Sequence, residues 1–183
     1  MQSISRTAVE GDLDALLSLI EEHGRGELLV RDRAAIEENL ERWIVLEVEG
    51  EVRGCVSSDR HLEGLAELRS IVVHDCLKGR GAGRLLVEAL MRDLEEQEVD
   101  LVFALSRAVG FFQRLGFVVC DQPAFFESIA KKHRKPGQRF FVKTTSRVQA
   151  RHSHRLLVQS PPAAPLLGYT DGLASARRLG GER

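Results

Sequence analysis

The sequence is poor in the features that mark several classes of protein. It has three cysteines, an odd number without C-x-x-C spacing, so neither a disulfide framework nor a zinc site is indicated and no metal is expected. No stretch approaches the run of about 20 apolar residues that crosses a bilayer, and the first residues lack the apolar core of a secretory signal. The formal net charge of -1 gives no general reason to expect nucleic acid or a membrane as a partner. We therefore expect a cytoplasmic protein.

Length and composition favour one domain with an extension. The chain has 183 residues, of which 43% are hydrophobic and 29% charged, a balance typical of globular proteins. Sustained periodicity ends near Thr144, and the remainder is rich in Arg, Pro and Ala and contains no Lys. We predict a folded domain over residues 1–145 and a disordered C-terminal tail over residues 146–183.

Hydrophobic patterning predicts an α/β domain around one mixed sheet. Alternating and β-branched runs predict strands at residues 4–8, 44–48, 52–56, 65–73, 101–105, 117–120 and 139–143. Apolar spacings of three and four predict helices at residues 13–20, 34–43, 84–95 and 108–115.

A glycine-rich turn after the fourth predicted strand has the composition of an anion-binding site. Backbone N–H groups at a helix N-terminus attract anions, and small residues let a phosphate approach them closely. The spacing fits neither the dinucleotide pattern G-x-G-x-x-G nor the Walker pattern. The residues predicted to hold phosphate are Lys78, Gly79, Arg80, Gly81, Ala82, Gly83 and Arg84.

Two local patterns and one spacing resemble the GNAT family of acyl-CoA-dependent N-acetyltransferases. The pattern K-x-x-G-x-G, which starts at Lys78, resembles the family's R/Q-x-x-G-x-G/A pyrophosphate loop, with Lys at the first position. The run from Ala108 to Phe117 reads A-x-x-F-F-x-x-x-G-F and resembles the second family signature. Glu67 lies 11 residues before Lys78, where many members of the family carry a general base.

The resemblance implies a fold and a reaction. The implied fold is a mixed, mostly antiparallel central sheet flanked by helices, and the implied co-substrate is acetyl-CoA. The implied reaction transfers an acetyl group to an amine, with Glu67 as general base. Backbone N–H groups of Ile71, Val72 and Val73 would hold the thioester. Phe112 stands at the position where the family often has a tyrosine that acts as the general acid. We expect Phe112 to contact the cofactor.

The sequence leaves several candidates for the acid that protonates the leaving thiolate. Phe112 has no proton to give. Ser106, just after the fifth predicted strand, is our candidate, with Cys120 and water as alternatives and unassisted departure of the thiolate as another.

A narrower resemblance concerns the acetyl acceptor. The run L-L-V-R that ends at Arg31, together with Arg107 and the late Arg139, looks like the corresponding pieces of the acetyltransferase domain of bacterial N-acetylglutamate synthases. The resemblance implies L-glutamate as substrate, in arginine biosynthesis, with these arginines binding its carboxylates. Phe111 and Phe141 depart from that family's pattern.

Two other functions fit the same patterns. One is a GNAT enzyme for another small amine or for a protein amine, which an acceptor competition assay would distinguish. The other is a non-catalytic acyl-CoA-binding regulatory module, which would bind CoA without turnover. The sequence does not indicate an oligomeric state, and a homodimer is one option.

Overall fold

The computed structural model describes residues 3–24, 32–121, 123–130 and 135–149. The strands are β1 (Ser3–Thr7), β2 (Trp43–Val48), β3 (Glu51–Leu62), β4 (Leu65–Val73), β5 (Leu101–Ser106), β6 (Val118–Val119) and β7 (Arg139–Thr144). The helices are α1 (Leu13–His23), α2 (Arg33–Glu37), α3 (Ala82–Glu96), α4 (Val109–Arg114) and α5 (Ala124–Ala130).

All seven strands form one sheet in the order β1-β2-β3-β4-β5-β7-β6. Every neighbouring pair is antiparallel except β4 and β5, which are parallel. Parallel neighbours need a crossover connection, and the glycine loop and α3 supply it. The prediction of a mixed, mostly antiparallel sheet flanked by helices is therefore confirmed.

The two parallel strands separate before they end. Their pairing runs from Leu65 opposite Leu101 to Leu68 opposite Ala104 and then stops, although both strands continue. Near the point of separation, β4 contains an irregularity at Ser70, whose φ of 49° lies in the left-handed region. Backbone N–H and C=O groups in an unpaired stretch need other partners. The sheet thus offers a gap between β4 and β5 that opens toward the start of α3.

Hydrophobic residues cover both faces of the sheet. On one face, Leu86, Leu90 and Leu94 of α3 are fully buried. On the other face, α1 and α2 cover the first strands through residues such as Leu16 and Ile36. Full burial of one such side chain contributes about 1.5–3 kcal/mol, so these side chains hold α3 firmly against β2, β3 and β4.

One predicted helix ends early in the structure, and one helix was missed by the prediction. The helix predicted at residues 34–43 ends at Glu37, and Trp43 instead begins β2, paired with Ser57 and fully buried. Burial of a large ring in the sheet outweighs the helical spacing of the apolar residues here. Helix α5 was not predicted at all.

The described C-terminal part of the chain continues past β7. Thr145 is fully buried, and the backbone N–H and hydroxyl of Ser146 donate to Glu95 on α3 at 2.9 and 2.6 Å. No helix in the described ranges is both long and apolar enough to cross a membrane. Residues 150–183, most of the predicted tail, lie outside the described residues.

Candidate active site

The glycine loop ends in the first turn of α3. Gly79 and Gly81 have φ values of 74° and 84°, a conformation that glycine adopts without steric cost. Gly81 is the residue before the helix, so the N–H groups of the first turn are exposed at the positive end of a 15-residue helix. This geometry suits an anion, as the sequence predicts.

Gly83 lets α3 approach α4 closely. A β-carbon at this position would lie 3.2 Å from Cε2 of the Phe111 ring, closer than carbon atoms normally pack. The two helices therefore form adjacent walls of one cavity. Because Gly83 has no side chain, the Phe111 ring packs directly against the start of α3, next to the glycine loop.

The cavity between these walls has a volume of about 440 Å³, within the range of small-ligand sites. Its lining combines backbone N–H donors, cations and apolar side chains, which fits a ligand with phosphates and an uncharged arm. The lining residues are Val73, Leu77, Lys78, Gly79, Gly81, Ala82, Gly83, Arg84, Phe111, Arg114 and Leu115.

The cations around the loop differ in their partners. Lys78 pairs with Asp75, and Arg84 Nε donates to Glu88 at 2.7 Å. Arg114 lines the cavity and has no acidic partner among the described residues. Arg80 lines an adjoining cavity rather than this one. Two of the three predicted loop cations, Lys78 and Arg84, therefore line this cavity, and each is paired with a carboxylate.

The structure separates the predicted cofactor-contacting residues of β4 and α4. Ile71 and Val73 pack on the α3 side of the sheet, and Val73 lines the cavity, whereas Val72 is buried on the opposite face. Phe112, predicted to contact the cofactor, is 2% exposed and belongs to the core, and Phe111 lines the cavity in its place. This differs from the prediction because α4 turns the Phe112 ring inward.

Glu67 is a buried carboxylate beside the gap. It is 2% exposed, and it pairs in register with Asp59 on β3 and Phe103 on β5. Its neighbours in the chain face α3, so the Glu67 side chain lies on the other face of the sheet. Its Oε2 lies 3.0 Å from Nε2 of His61.

Further polar groups share this face. Asp59 forms an ion pair with Arg69, and both side chains are mostly buried. The Ser57 hydroxyl is fully buried and has no hydrogen-bond partner among the described residues. A strip of polar groups therefore runs along β3 and β4 next to Glu67, on the face of the sheet opposite α3 and the glycine loop.

The predicted acid and two predicted arginines meet at the end of β5. Ser106 is opposite Arg139 in the β5–β7 register, and its Oγ accepts a hydrogen bond from the Ala108 N–H at 3.0 Å. Arg107 donates from Nε and Nη2 to the carbonyl oxygen of Pro136 at 3.0 and 2.9 Å. Arg31, the third predicted arginine, lies outside the described residues.

Sequence reasoning missed His61, Arg69, Phe111 and Arg114 as site residues. His61 and Arg69 reach the site through the β3–β4 register, which no local pattern reveals. Phe111 stands in the quoted family signature, but the signature alone does not show which of two adjacent rings faces the cavity. Within the described ranges, no group of three or more His, Cys, Asp or Glu residues is arranged to hold a metal ion.

The residues of this site lie within a region that matches a known protein family. The Acetyltransferase (GNAT) family matches residues 12–117, which include Glu67, the glycine loop and α4. The chain belongs to the GNAT acetyltransferase family. The predicted enzyme class, an acyl-CoA-dependent N-acetyltransferase, and acetyl-CoA as its co-substrate are therefore confirmed.

Curated relatives of this GNAT chain include proteins named for amino-acid acetylation. An uncharacterized N-acetyltransferase of Chlorobaculum tepidum is 34% identical over 125 residues, which cover 68% of this chain and 81% of the relative. An amino-acid acetyltransferase of Actinobacillus pleuropneumoniae is 30% identical over 117 residues, covering 62% of this chain. The match spans only 27% of the latter protein's length.

A solved structure gives the same fold. The N-acetylglutamate synthase of Neisseria gonorrhoeae, complexed with coenzyme A and N-acetyl-glutamate, aligns with this GNAT chain at a TM-score of 0.68. The two sequences are 22% identical, and the alignment covers 79% of this chain and 35% of that protein. At this identity the likeness concerns the fold alone.

Proposed function

We propose that the chain transfers the acetyl group of acetyl-CoA to the α-amine of an amino acid, with L-glutamate as the first candidate, in arginine biosynthesis in the cytoplasm. The observation that carries the proposal is the buried Glu67 carboxylate, one residue before β4 separates from β5. The amino-acid acetyltransferase relatives support the acceptor class.

Glu67 acts in this proposal as the general base. An amino acid's amine is an ammonium ion at neutral pH and must lose a proton before it attacks a carbonyl carbon. Acetyl-CoA supplies the activated acetyl group as a thioester. Since Glu67 lies on the face of the sheet opposite the glycine loop, the amine approaches Glu67 from that face, past the polar side chains of Asp59 and Arg69.

The gap between β4 and β5 provides the groups that stabilise the thioester oxygen and protonate the leaving thiolate. Alternate backbone N–H groups beyond Leu68 face the gap and stabilise the negative charge that develops on the thioester oxygen. Ser106 lies across the gap on β5. Its oxygen accepts the Ala108 N–H, which leaves the hydroxyl hydrogen for the proposed donation of a proton to the leaving thiolate.

Arginines are proposed to hold the carboxylates of the acceptor. Arg139 is exposed beside Ser106, and a guanidinium binds a carboxylate through two parallel hydrogen bonds. Arg31 keeps the same proposed role. Arg107 plays an indirect part, because its two bonds to Pro136 anchor the segment that leads into Arg139.

Substitution of Glu67 by Gln tests the base. The Glu67→Gln variant keeps the shape of the side chain but cannot accept the ammonium proton, so kcat should fall by about 10²–10⁴-fold while KM for acetyl-CoA stays unchanged. Thiol release from acetyl-CoA is the measurement. Glu63→Gln, in the exposed turn after β3, is the matched control and should retain wild-type kcat. A fully active Glu67→Gln enzyme would remove the base from the proposal.

An acceptor panel tests the substrate. Thiol release is measured with L-glutamate, other amino acids and polyamines, and glutamate should give the highest kcat/KM. Turnover with a different amine would keep the reaction class and reject glutamate. CoA binding without turnover on any amine would instead support the regulatory module.

A further inference from the structure

The hydrogen bond between His61 and Glu67 is the most enclosed polar contact at the site. The Glu67 side chain is 3% exposed and that of His61 is 20% exposed, and Nε2 and Oε2 are 3.0 Å apart. The imidazole therefore lies between the buried carboxylate and solvent. An exposed pair of this kind would contribute little, but a buried carboxylate depends strongly on its hydrogen-bond donors.

The hairpin geometry explains why these two residues meet. Asp59 is directly opposite Glu67, and the β3–β4 register shifts between Arg60 and Leu62. His61 is two residues from Asp59 along β3, so its side chain lies on the same face of the sheet and diagonal to Glu67. The register is pinned on either side of the shift, so the contact is built into the sheet.

The surroundings hold the imidazole in one place. The Phe103 ring of β5 lies 5.5 Å from the His61 ring, centre to centre, and the Phe126 ring of α5 packs on Phe103 at 4.9 Å. The other charged side chains of this strip, Asp59 and Arg69, pair with each other. Aromatic packing thus restricts the ring while its Nε2 faces Glu67.

We propose that His61 is the positioning residue of Glu67: its Nε2–H donates to Oε2 and so fixes the orientation of the carboxylate that takes the proton of the acceptor amine. An ionised carboxylate only accepts hydrogen bonds, so the imidazole nitrogen facing it carries a hydrogen. With one oxygen held, the carboxylate cannot rotate away from the amine, and orientation of this kind accelerates proton transfer. The inference rests on the proposed function, in which Glu67 is the base.

Two substitutions separate positioning from structural support. His61→Gln keeps an N–H at the position of Nε2, whereas His61→Leu removes the donor and keeps the volume. We expect His61→Leu to lower kcat by about 10–100-fold, as for loss of a hydrogen bond to a charged group, with KM for acetyl-CoA within about twofold of wild type. His61→Gln should restore kcat to within about fivefold of wild type. The assay uses whichever amine of the acceptor panel gives the highest turnover.

The matched control is Leu62→Ala, which changes the neighbouring exposed side chain and should keep wild-type kcat. Wild-type kcat in a folded His61→Leu enzyme would overturn the inference. So would equal losses in the Gln and Leu variants, because those would reflect packing rather than the donated hydrogen bond.

A substrate-free measurement distinguishes this inference from the proposed function. Nitrogen-15 NMR shows which imidazole nitrogen carries the proton, and we expect His61 to be the Nε2–H tautomer at pH 8. A proton on Nδ1 alone would overturn the positioning role even if Glu67→Gln is inactive and glutamate is the acceptor. A fully active Glu67→Gln enzyme would remove the base, and the positioning role with it, whatever the tautomer.

Discussion

At the residue scale, Arg6 joins the first strand to two other elements. Its guanidinium donates to both oxygens of Asp12 at 2.6 and 2.9 Å and to Glu47 at 2.8 Å. Asp12 is 6% exposed and also accepts the Val9 N–H at 2.9 Å. The Arg6 hydrogen bonds are the main reason why the pKa of Asp12 is lowered from its ordinary value.

This contact predicts a pH-dependent loss of stability in Asp12→Asn. The substitution keeps the shape but weakens two charge-assisted hydrogen bonds, so unfolding free energy at pH 7 should fall by about 1–2 kcal/mol. Because the folded-state pKa of Asp12 lies below the unfolded one, its contribution is present above the unfolded pKa and is lost as pH falls through the folded pKa.

Urea unfolding at pH 7 and at successively lower pH measures this effect. The difference between wild type and Asp12→Asn should shrink below about pH 4, near the ordinary pKa of the group. Glu10→Gln, in the same turn but exposed, is the control and should change stability little at either pH. A difference that stays constant with pH would contradict the assignment to Asp12.

Single residues also show how far the sequence predicts the site. The spacing between Glu67 and the glycine loop is local, and it pointed to a carboxylate that the structure buries beside the strand gap. His61 was missed because it meets Glu67 across the β3–β4 pairing, which no local motif shows. Phe111 lines the cavity and Phe112 is buried in the core because of the rotation of one short helix. A pattern of two adjacent aromatic residues does not show that rotation.

At the element scale, the start of α3 combines backbone conformation with ligand binding. The φ of 84° at Gly81 places the next N–H groups along the helix axis, where they line the cavity. Space around the residue is open, so a β-carbon there meets no atom within 4 Å. Any cost of a side chain at Gly81 therefore comes from the backbone.

Gly81→Ala should consequently weaken cofactor binding more than it weakens the fold. A non-glycine residue in this conformation costs about 1–2 kcal/mol, and the loop can relieve that cost by rotating its N–H groups away from the phosphate position. KM for acetyl-CoA should rise by about tenfold, which corresponds to roughly 1.4 kcal/mol. Steady-state kinetics with varied acetyl-CoA measures this, together with urea unfolding.

The control is Gly11→Ala, where the surroundings are also open but φ is not in the left-handed region. It should leave KM unchanged. If Gly81→Ala bound acetyl-CoA as tightly as wild type, the loop N–H groups would not be the phosphate ligands.

Elements differ in how well the sequence predicts them. Residues 65–73 were predicted as a strand, and β4 has those bounds, because a glycine turn precedes the segment and β-branched residues end it. The helix predicted at 34–43 failed at its second half, because Trp43 has a place in the buried sheet that its spacing does not show. Local propensity predicts an element when tertiary packing favours the same conformation.

At the scale of the whole molecule, the site depends on where two parallel strands stop pairing. The separation of β4 and β5 after Leu68 and Ala104 opens a gap, with Glu67 just before it on β4 and Ser106 in the separated part of β5. No local pattern encodes that endpoint, since it results from the irregularity at Ser70 and the packing of several elements. The sequence pointed to Glu67 and to the glycine loop, but it could not predict the gap between the strands or the residues that reach the site across the sheet.

The segment after β7 completes the fold. The Thr145 hydroxyl donates to the Val99 carbonyl at 2.8 Å and its N–H donates to the Asp100 carbonyl at 3.0 Å, which ties the chain end to the start of β5. Arg147 pairs with Glu98 at 3.0 Å. These bonds connect the last described residues to the same β5 that carries Ser106, so the folded unit should need the chain to about residue 149.

Two shortened chains test this boundary. A chain that ends at Gln149 should retain the melting temperature and CoA affinity of the 183-residue protein, because the sustained hydrophobic periodicity of the sequence ends near Thr144. A chain that ends at Thr144 loses a buried residue and its two bonds, about 2–3 kcal/mol, and should melt about 5–10 °C lower. Thr145→Val in the full chain removes only the hydroxyl and should give an intermediate loss. Equal melting temperatures for the two shortened chains would place the end of the domain at β7, and a lower melting temperature for the longer one would assign part of the stability to the tail.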